Sequence, residues 1–240
     1  MENNTFKIVT LGCKVNSYES QGIEEYLLKN GFKESKDPEY IIVNTCAVTK
    51  TAEKKCLTKV RSLSEHFNAT KICVVGCSSS IRPEEFLNIP GVNVVSGNNG
   101  KLFAVKELLN GKTGILLSKK NTRNEKFEED IKISNFGKEC RAFVKIQDGC
   151  DNFCSYCIIP YVRGRVRSKD PEDVIKEVTT LVEKGYKEIV LTGIHTGRYG
   201  TDINTTLEEL LNKLVNIPNI YRIRLSSIEI NEITPGIKEL

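Results

Sequence analysis

Residues 149–157 read GCDNFCSYC and place Cys150, Cys154 and Cys157 in a C-x3-C-x2-C pattern. Three thiols this close together are a metal-binding set, yet closed zinc and iron–sulfur sites usually take four ligands. Either a fourth ligand arrives from elsewhere or one metal position stays open. A zinc site would have to recruit one of the two histidines, His66 or His195, and a strand running into a loop is unlike a ribbon of paired C-x2-C knuckles. A four-iron, four-sulfur (4Fe–4S) cube matches the count differently. Three thiolates hold three corners and leave the fourth iron free to chelate an amino and a carboxylate group.

A second set of thiols is spread along the first half of the chain. FKIVTLG (6–12), YIIVNTC (40–46), KICVVGC (71–77) and GVNVVSG (91–97) read as strands, and 17–30, 49–66 and 101–110 as helices between and after them. Asn16 and Glu19 are spaced like a capping box for the first helix, and Gly31 stops it. Short apolar runs alternating with helices predict an α/β layer with an open, mostly parallel sheet. Cys13, Cys46 and Cys77 then fall at or just past the C-terminal ends of three strands, the edge where ligand sites form in such sheets. Cys56 lies mid-helix and Cys73 mid-strand, as buried small hydrophobes, and Cys140 has no cluster company.

The densely charged KKNTRNEKFEED (119–130) predicts an exposed linker, giving domains at 1–118 and 141–240 joined by 119–140. A second α/β unit follows: strand 142–148 runs into the cysteine loop. Asp170 and Pro171 open a helix with an apolar stripe of Val174, Val178, Leu181 and Val182. Strand 187–193, helix 205–215 and strand 221–227 complete the reading. This is the opening of a parallel (β/α) barrel, and three strands do not close one, so the barrel is expected to be truncated at Leu240.

With 240 residues, 39% hydrophobic and 28% charged, the chain has a globular composition. No apolar run approaches the ~18–20 residues that span a bilayer, and no secretory signal opens the sequence. The nine cysteines are therefore expected in a reducing cytoplasm, as metal ligands before disulfides, with no membrane partner. A net charge of +4 is compatible with a nucleic-acid partner without arguing for one.

C-x3-C-x2-C after the first strand of a βα barrel closely resembles the signature of the radical S-adenosylmethionine (SAM) superfamily, in which SAM chelates the open iron. The resemblance narrows to the methylthiotransferases through TLGCKVNSYES (10–20), VNTCAVT (43–49), VVGCSSS (74–80), DGCDNFCSYCIIPYVRGRVRS (148–168) and LTGIHTGRYG (191–200), in that order along the chain. It implies two 4Fe–4S clusters, one on Cys150, Cys154 and Cys157 and an auxiliary one on Cys13, Cys46 and Cys77. It also implies SAM bordered by Tyr156 and by Thr192 and Gly193, where TGI stands in place of the superfamily's GGE. A second departure is SSS after Cys77, where the family commonly has Tyr or a similar residue and then Ala-Gln.

The basic VRGRVRSK loop offers Arg163, Arg165, Arg167 and Lys169 either to RNA phosphates and the SAM carboxylate or simply to solvent. The LGCKVN and GIHTGRYG wording resembles the enzymes that act on threonylcarbamoyladenosine beside the tRNA anticodon. Those acting on isopentenyladenosine, or on an aspartate of a ribosomal protein, are the alternatives within the family. The family also implies an electron donor of flavodoxin or ferredoxin type and a sulfur donor, and leaves the oligomeric state open. Outside it stand a radical SAM enzyme using its second cluster only for electron transfer and a non-catalytic iron–sulfur or zinc RNA-binding module.

Overall fold

The computed structural model describes residues 4–67, 70–116, 127, 131–137 and 140–240. The chain divides into two compact units, Met1–Asn121 with Ser155–Arg163, and Thr122–Cys154 with Gly164–Leu240. The division is not the contiguous one expected from sequence: it counts Thr122–Cys154, with most of the expected linker, in the second unit. Residues 155–163, which carry Cys157, are counted with the first unit.

The first unit runs β1 (Thr5–Thr10), α1 (Lys14–Lys29), β2 (Lys33–Glu34), β3 (Tyr40–Thr45), α2 (Lys50–His66), β4 (Lys71–Gly76), α3 (Cys77–Ile81), α4 (Pro83–Leu87), β5 (Val92–Val95), α5 (Lys101–Leu109), β6 (Gly114–Ile115) and α6 (Ile159–Arg163). Its strands form one sheet in the order β2-β1-β3-β4-β5-β6, all pairs parallel. All six residues of β3 are buried, as expected of an unbroken apolar strand at the centre of a parallel sheet. Ile41, Val43, Val60, Leu63, Ile72, Val74 and Phe86 belong to a core cluster that takes in Cys46 and Cys56.

Helix α1 corrects the capping-box reading. It begins at Lys14 with Cys13 as N-cap, so Asn16 and Glu19 lie inside its first turns, fully buried. Both are spent on tertiary contacts. Glu19 accepts from Lys101 Nζ at 2.5 Å and from Arg163 Nη1 at 3.3 Å, and Asn16 Oδ1 accepts from Arg163 Nη2 at 2.9 Å. A capping box and a buried ion pair use the same residue types, and only the long-range cations tell them apart.

The second unit contains β7 (Arg141–Lys145), β8 (Gln147–Asp148), β9 (Arg167–Ser168), α7 (Pro171–Glu183), β10 (Glu188–Thr192), α8 (Leu207–Leu214), β11 (Arg222–Leu225) and α9 (Pro235–Glu239). β7, β10 and β11 form a parallel sheet in the order β11-β10-β7, and β8 pairs antiparallel with β9. Asp170 caps α7 by accepting from Glu172 N, and Val174, Val178, Leu181 and Val182 bury its stripe. Thr206 and Glu209 form a full capping box on α8.

The exposed-linker reading of 119–140 needs correction where it is described. Phe127, Ile131, Ile133 and Phe136 are buried. Ile133 N donates to Glu177 Oε1 at 3.1 Å, Phe136 N donates to Tyr186 Oη at 2.7 Å, and the Phe136 ring meets Phe143 edge-on. The apolar residues that punctuate the charges dock this stretch on the second unit. The rest of the segment, 119–126, 128–130 and 138–139, lies outside the described residues. Among the described residues no helix is long and apolar enough to cross a membrane.

Candidate functional site

Each cysteine of the dispersed set sits on a strand-to-helix turn of the first unit. Cys13 follows β1 and is the N-cap of α1. Cys46 follows β3, and Cys77 is the first residue of α3, directly after β4. Because β1, β3 and β4 are adjacent and parallel, the sheet register brings three residues distant in sequence to one edge. Burial pushes the Cys46 thiol up and a backbone hydrogen bond at Val48 lowers it. Cys77 and Cys13 raise it further and Arg163 lowers it, so the three sulfurs and this cation are within electrostatic reach of one another.

The turns are built with little slack. Gly12 has φ +117°, and a Cβ there would stand 2.6 Å from Cys46 Cβ and 2.8 Å from its Sγ. Gly76, at φ +111°, would drive a Cβ to 2.5 Å from the Thr45 carbonyl oxygen. Asn16 Nδ2 donates to Leu11 O at 2.8 Å and Thr45 O at 2.9 Å, tying together the chain just before Cys13 and just before Cys46. Cys56 is buried in the apolar core, as expected of a small hydrophobe, and it also supports the neighbouring turn. Its Sγ accepts from Cys46 N at 3.3 Å and donates to Cys46 O at 3.4 Å. The SSS departure also builds its own support. Ser79 Oγ donates to Ser96 O at 2.6 Å, and Ser80 Oγ donates to Gly76 O at 2.9 Å while accepting from Asn98 N at 3.2 Å.

Among the described residues no three His, Cys, Asp or Glu side chains gather closely enough to hold a single metal ion. A cube makes a different demand, since each thiolate takes its own iron and the sulfurs stay spread around the cluster. An all-thiol donor set, with a glycine at position 12 leaving room beside the Cys46 sulfur, fits that demand.

In the second unit the loop after β8 carries Cys150 and Cys154, both partly exposed. Gly149 opens it at φ +74°, and a Cβ there would overlap the Arg165 carbonyl at 1.8 Å. Cys150 N then donates to Gly164 O at 3.0 Å. Gln147, which sequence reasoning missed, connects this loop to the one after β10. Its Nε2 donates to Gly149 O at 2.7 Å, and its Oε1 accepts from Ile194 N at 3.0 Å and His195 N at 2.8 Å. Gly193 packs on that same Gln147, and a Cβ there would come within 2.9 Å of Oε1. Thr192 is buried and its hydroxyl accepts from Ser226 Oγ at 3.2 Å.

His195, weighed in the sequence only as a remote zinc ligand, lies with Nδ1 3.6 Å from Cys150 Sγ and Nε2 2.7 Å from Glu232 Oε1. Cys157 and Tyr156 belong to the segment counted with the first unit, and Tyr156 is 90% exposed.

Three of the four cations of the basic loop are buried in ion pairs rather than offered to RNA or to solvent. Arg163 is buried against Glu19 and Asn16. Arg167 is buried 3.5 Å from Asp148 Oδ2, and Lys169 is buried in an ion pair with Glu177. The reading of Arg163 and Arg167 as contacts to nucleic acid is therefore corrected, because a buried, acid-paired guanidinium does not meet a phosphate. Arg165 is exposed. A cavity of about 690 Å³ lined by Arg141, Lys187, Glu188 and Arg222 lies at the N-terminal ends of β7, β10 and β11. That is the end opposite the cysteine loop, where parallel barrels carry stability rather than chemistry.

Comparison with known proteins supplies the remaining context. Residues 5–97 match the uncharacterized protein family UPF0004 and residues 144–238 the radical SAM superfamily. The chain is 39% identical over 238 residues to the threonylcarbamoyladenosine tRNA methylthiotransferase MtaB of Bacillus subtilis, covering 96% of this chain and 53% of the relative. It is 41% identical to the MtaB of Thermotoga maritima, covering 97% and 54%. A tRNA-2-methylthio-N(6)-dimethylallyladenosine synthase of Thermodesulfovibrio yellowstonii is 34% identical, at 93% and 53% coverage. The chain thus spans about half the length of the curated relatives it matches. Among solved structures, the radical SAM methyltransferase TsrM of Kitasatospora setae resembles it in fold at TM-score 0.57 and 12% identity, over 88% of this chain and 51% of that one. A segment that matches UPF0004 is thus followed along the chain by one that matches the radical SAM superfamily.

Proposed function

We propose that the protein is a cytoplasmic tRNA methylthiotransferase that places a methylthio group at C2 of N6-threonylcarbamoyladenosine beside the anticodon. The observation that carries the reading is the pair of cysteine sets, one on turns that follow adjacent parallel strands and the other on the loop after β8, in a chain whose relatives are named for this reaction. When bound, the two 4Fe–4S clusters supply an electron for reductive cleavage of SAM and a sulfur to be methylated and transferred.

Cys150, Cys154 and Cys157 would hold the first cluster, and Cys13, Cys46 and Cys77 the second. Gln147 fixes the loop of Cys150 and the loop after β10 to each other, so the start of the Cys150 loop and the Thr192–Gly193 turn keep one geometry. Gly193, without a side chain, lets the turn after β10 pack on Gln147, and the exposed Tyr156 offers a face for the adenine of SAM. Gly12 keeps the Cys46 sulfur uncrowded. An electron donor of flavodoxin or ferredoxin type and a sulfur donor complete the partners.

The test is expression from the complete gene in cells lacking their own threonylcarbamoyladenosine methylthiotransferase, with mass spectrometry of nucleosides from total tRNA. Appearance of the 2-methylthio form of threonylcarbamoyladenosine supports the reading. A gain on isopentenyladenosine alone, the reaction named for the Thermodesulfovibrio yellowstonii relative, would move the substrate, and no methylthio product at all would overturn the chemistry.

A further inference from the structure

Cys77 has a side-chain amide set against its sulfur. Asn98 is buried on the turn after β5. Its Nδ2 lies 2.9 Å from Val162 O and 3.3 Å from Cys77 Sγ, and its Oδ1 lies 3.5 Å from the same sulfur. The orientation of this amide is dictated by chemistry. A carbonyl oxygen only accepts, so the NH2 end must face Val162, and its second hydrogen is left for the sulfur. The main chain is pinned as well, with Asn98 N donating to Ser80 Oγ at 3.2 Å.

Two states of Cys77 use this amide differently. As a thiol it can donate to Oδ1. As an iron-bound thiolate it has no proton to give, and the N–H from Nδ2 becomes a charge-assisted bond to the ligand sulfur. Hydrogen bonds to cluster sulfurs are one of the levers that set a cluster's reduction potential, raising it by stabilising the more negative, reduced state. The same nitrogen holds the backbone of Val162 in α6, five residues beyond Cys157, and the neighbouring Arg163 is held by Asn16, which bonds the chain just before Cys13 and Cys46.

We propose that Asn98 is a positioning residue for the Cys13, Cys46 and Cys77 centre: its amide donates to the Cys77 ligand sulfur and fastens it to the helix that follows Cys157. The proposal rests on the reading of these three cysteines as the seat of a second cluster.

The experiment isolates that centre in a Cys150→Ala, Cys154→Ala, Cys157→Ala chain reconstituted anaerobically with iron and sulfide. Asn98→Asp keeps the shape and removes the donor, and Asn98→Leu removes every polar contact at similar volume. Iron content, rate of iron release to a chelator and the EPR-monitored midpoint potential are measured, with the melting temperature of the metal-free chains alongside. Both variants are expected to release iron about tenfold faster, the scale of one charge-assisted hydrogen bond, and to show a more negative midpoint. Unchanged potential and release rate in both variants would overturn the proposal, as would faster release with no change in potential and a matching loss of apo stability, the mark of a merely structural residue. A triple-alanine parent that binds no iron would overturn the proposal too, by removing the second cluster on which it rests, and is told apart by failing before Asn98 is altered.

Discussion

The two cysteine sets are assembled by opposite means. Cys13, Cys46 and Cys77 are 64 positions apart from first to last, and a parallel sheet, two positive-φ glycines and buried amides bring them together. Cys150, Cys154 and Cys157 span eight positions on a partly exposed loop with an exposed aromatic between the last two. Long-range placement leaves the first set organised by the fold before any metal binds. Short-range placement puts the second set on one loop, whose start is held by Gly164 O on Cys150 N and by Gln147 on Gly149.

That contrast can be broken hardest at the buried charges beneath the first set. Lys101→Met leaves Glu19 without its closest cation in a dry site and is expected to destabilise the first unit by about 3–5 kcal/mol. Urea unfolding followed by circular dichroism measures it, and an unaltered midpoint would show that the pair contributes nothing to the framework. Gly76→Ala comes next, at roughly 2–3 kcal/mol, because an L side chain at φ +111° meets the Thr45 backbone. Equal tolerance of alanine at Gly76 and at the exposed-turn Gly111, where nothing lies within 4 Å, would contradict the claim of tight assembly.

These effects also mark where the sequence was legible. Alternating apolar runs gave the four longer strands of the first unit, a mostly parallel sheet and the strand-end position of the cysteines, because hydrophobic period and turn residues are local signals. Glu19, Asn16 and Arg163 were misread for one shared reason. Their partners are dozens to over a hundred positions away, and a polar residue near a helix start or in a basic loop carries no local sign of that. Gln147 was invisible on the same grounds, being one glutamine whose value lies in bonding two loops at once. The short α3 and α6 are too brief to carry a period, and the buried Ile131, Ile133 and Phe136 follow directly on the charged run 119–130 that masked them.

A smaller effect is expected at Cys56. Cys56→Ser should leave cluster iron unchanged, since its thiol is engaged with the Cys46 backbone. It should cost about 1–2 kcal/mol by placing a hydroxyl in an apolar cluster. Iron and sulfide counts on anaerobic protein check it, and loss of iron would make Cys56 a ligand. Smallest of all in stability is Tyr156→Ala, within about 0.5 kcal/mol because the ring is exposed, yet it should weaken SAM binding measured by equilibrium dialysis. A large stability loss with unchanged SAM binding would reverse the role given to this ring.

The central claim, two separately held clusters, is tested most directly by iron counts and Mössbauer spectra of two anaerobically reconstituted triple variants. Alanine at Cys150, Cys154 and Cys157 is expected to leave about half the iron and no reductive SAM cleavage. Alanine at Cys13, Cys46 and Cys77 is expected to leave about half the iron with SAM cleavage intact. Full iron retained in the second variant would contradict the account.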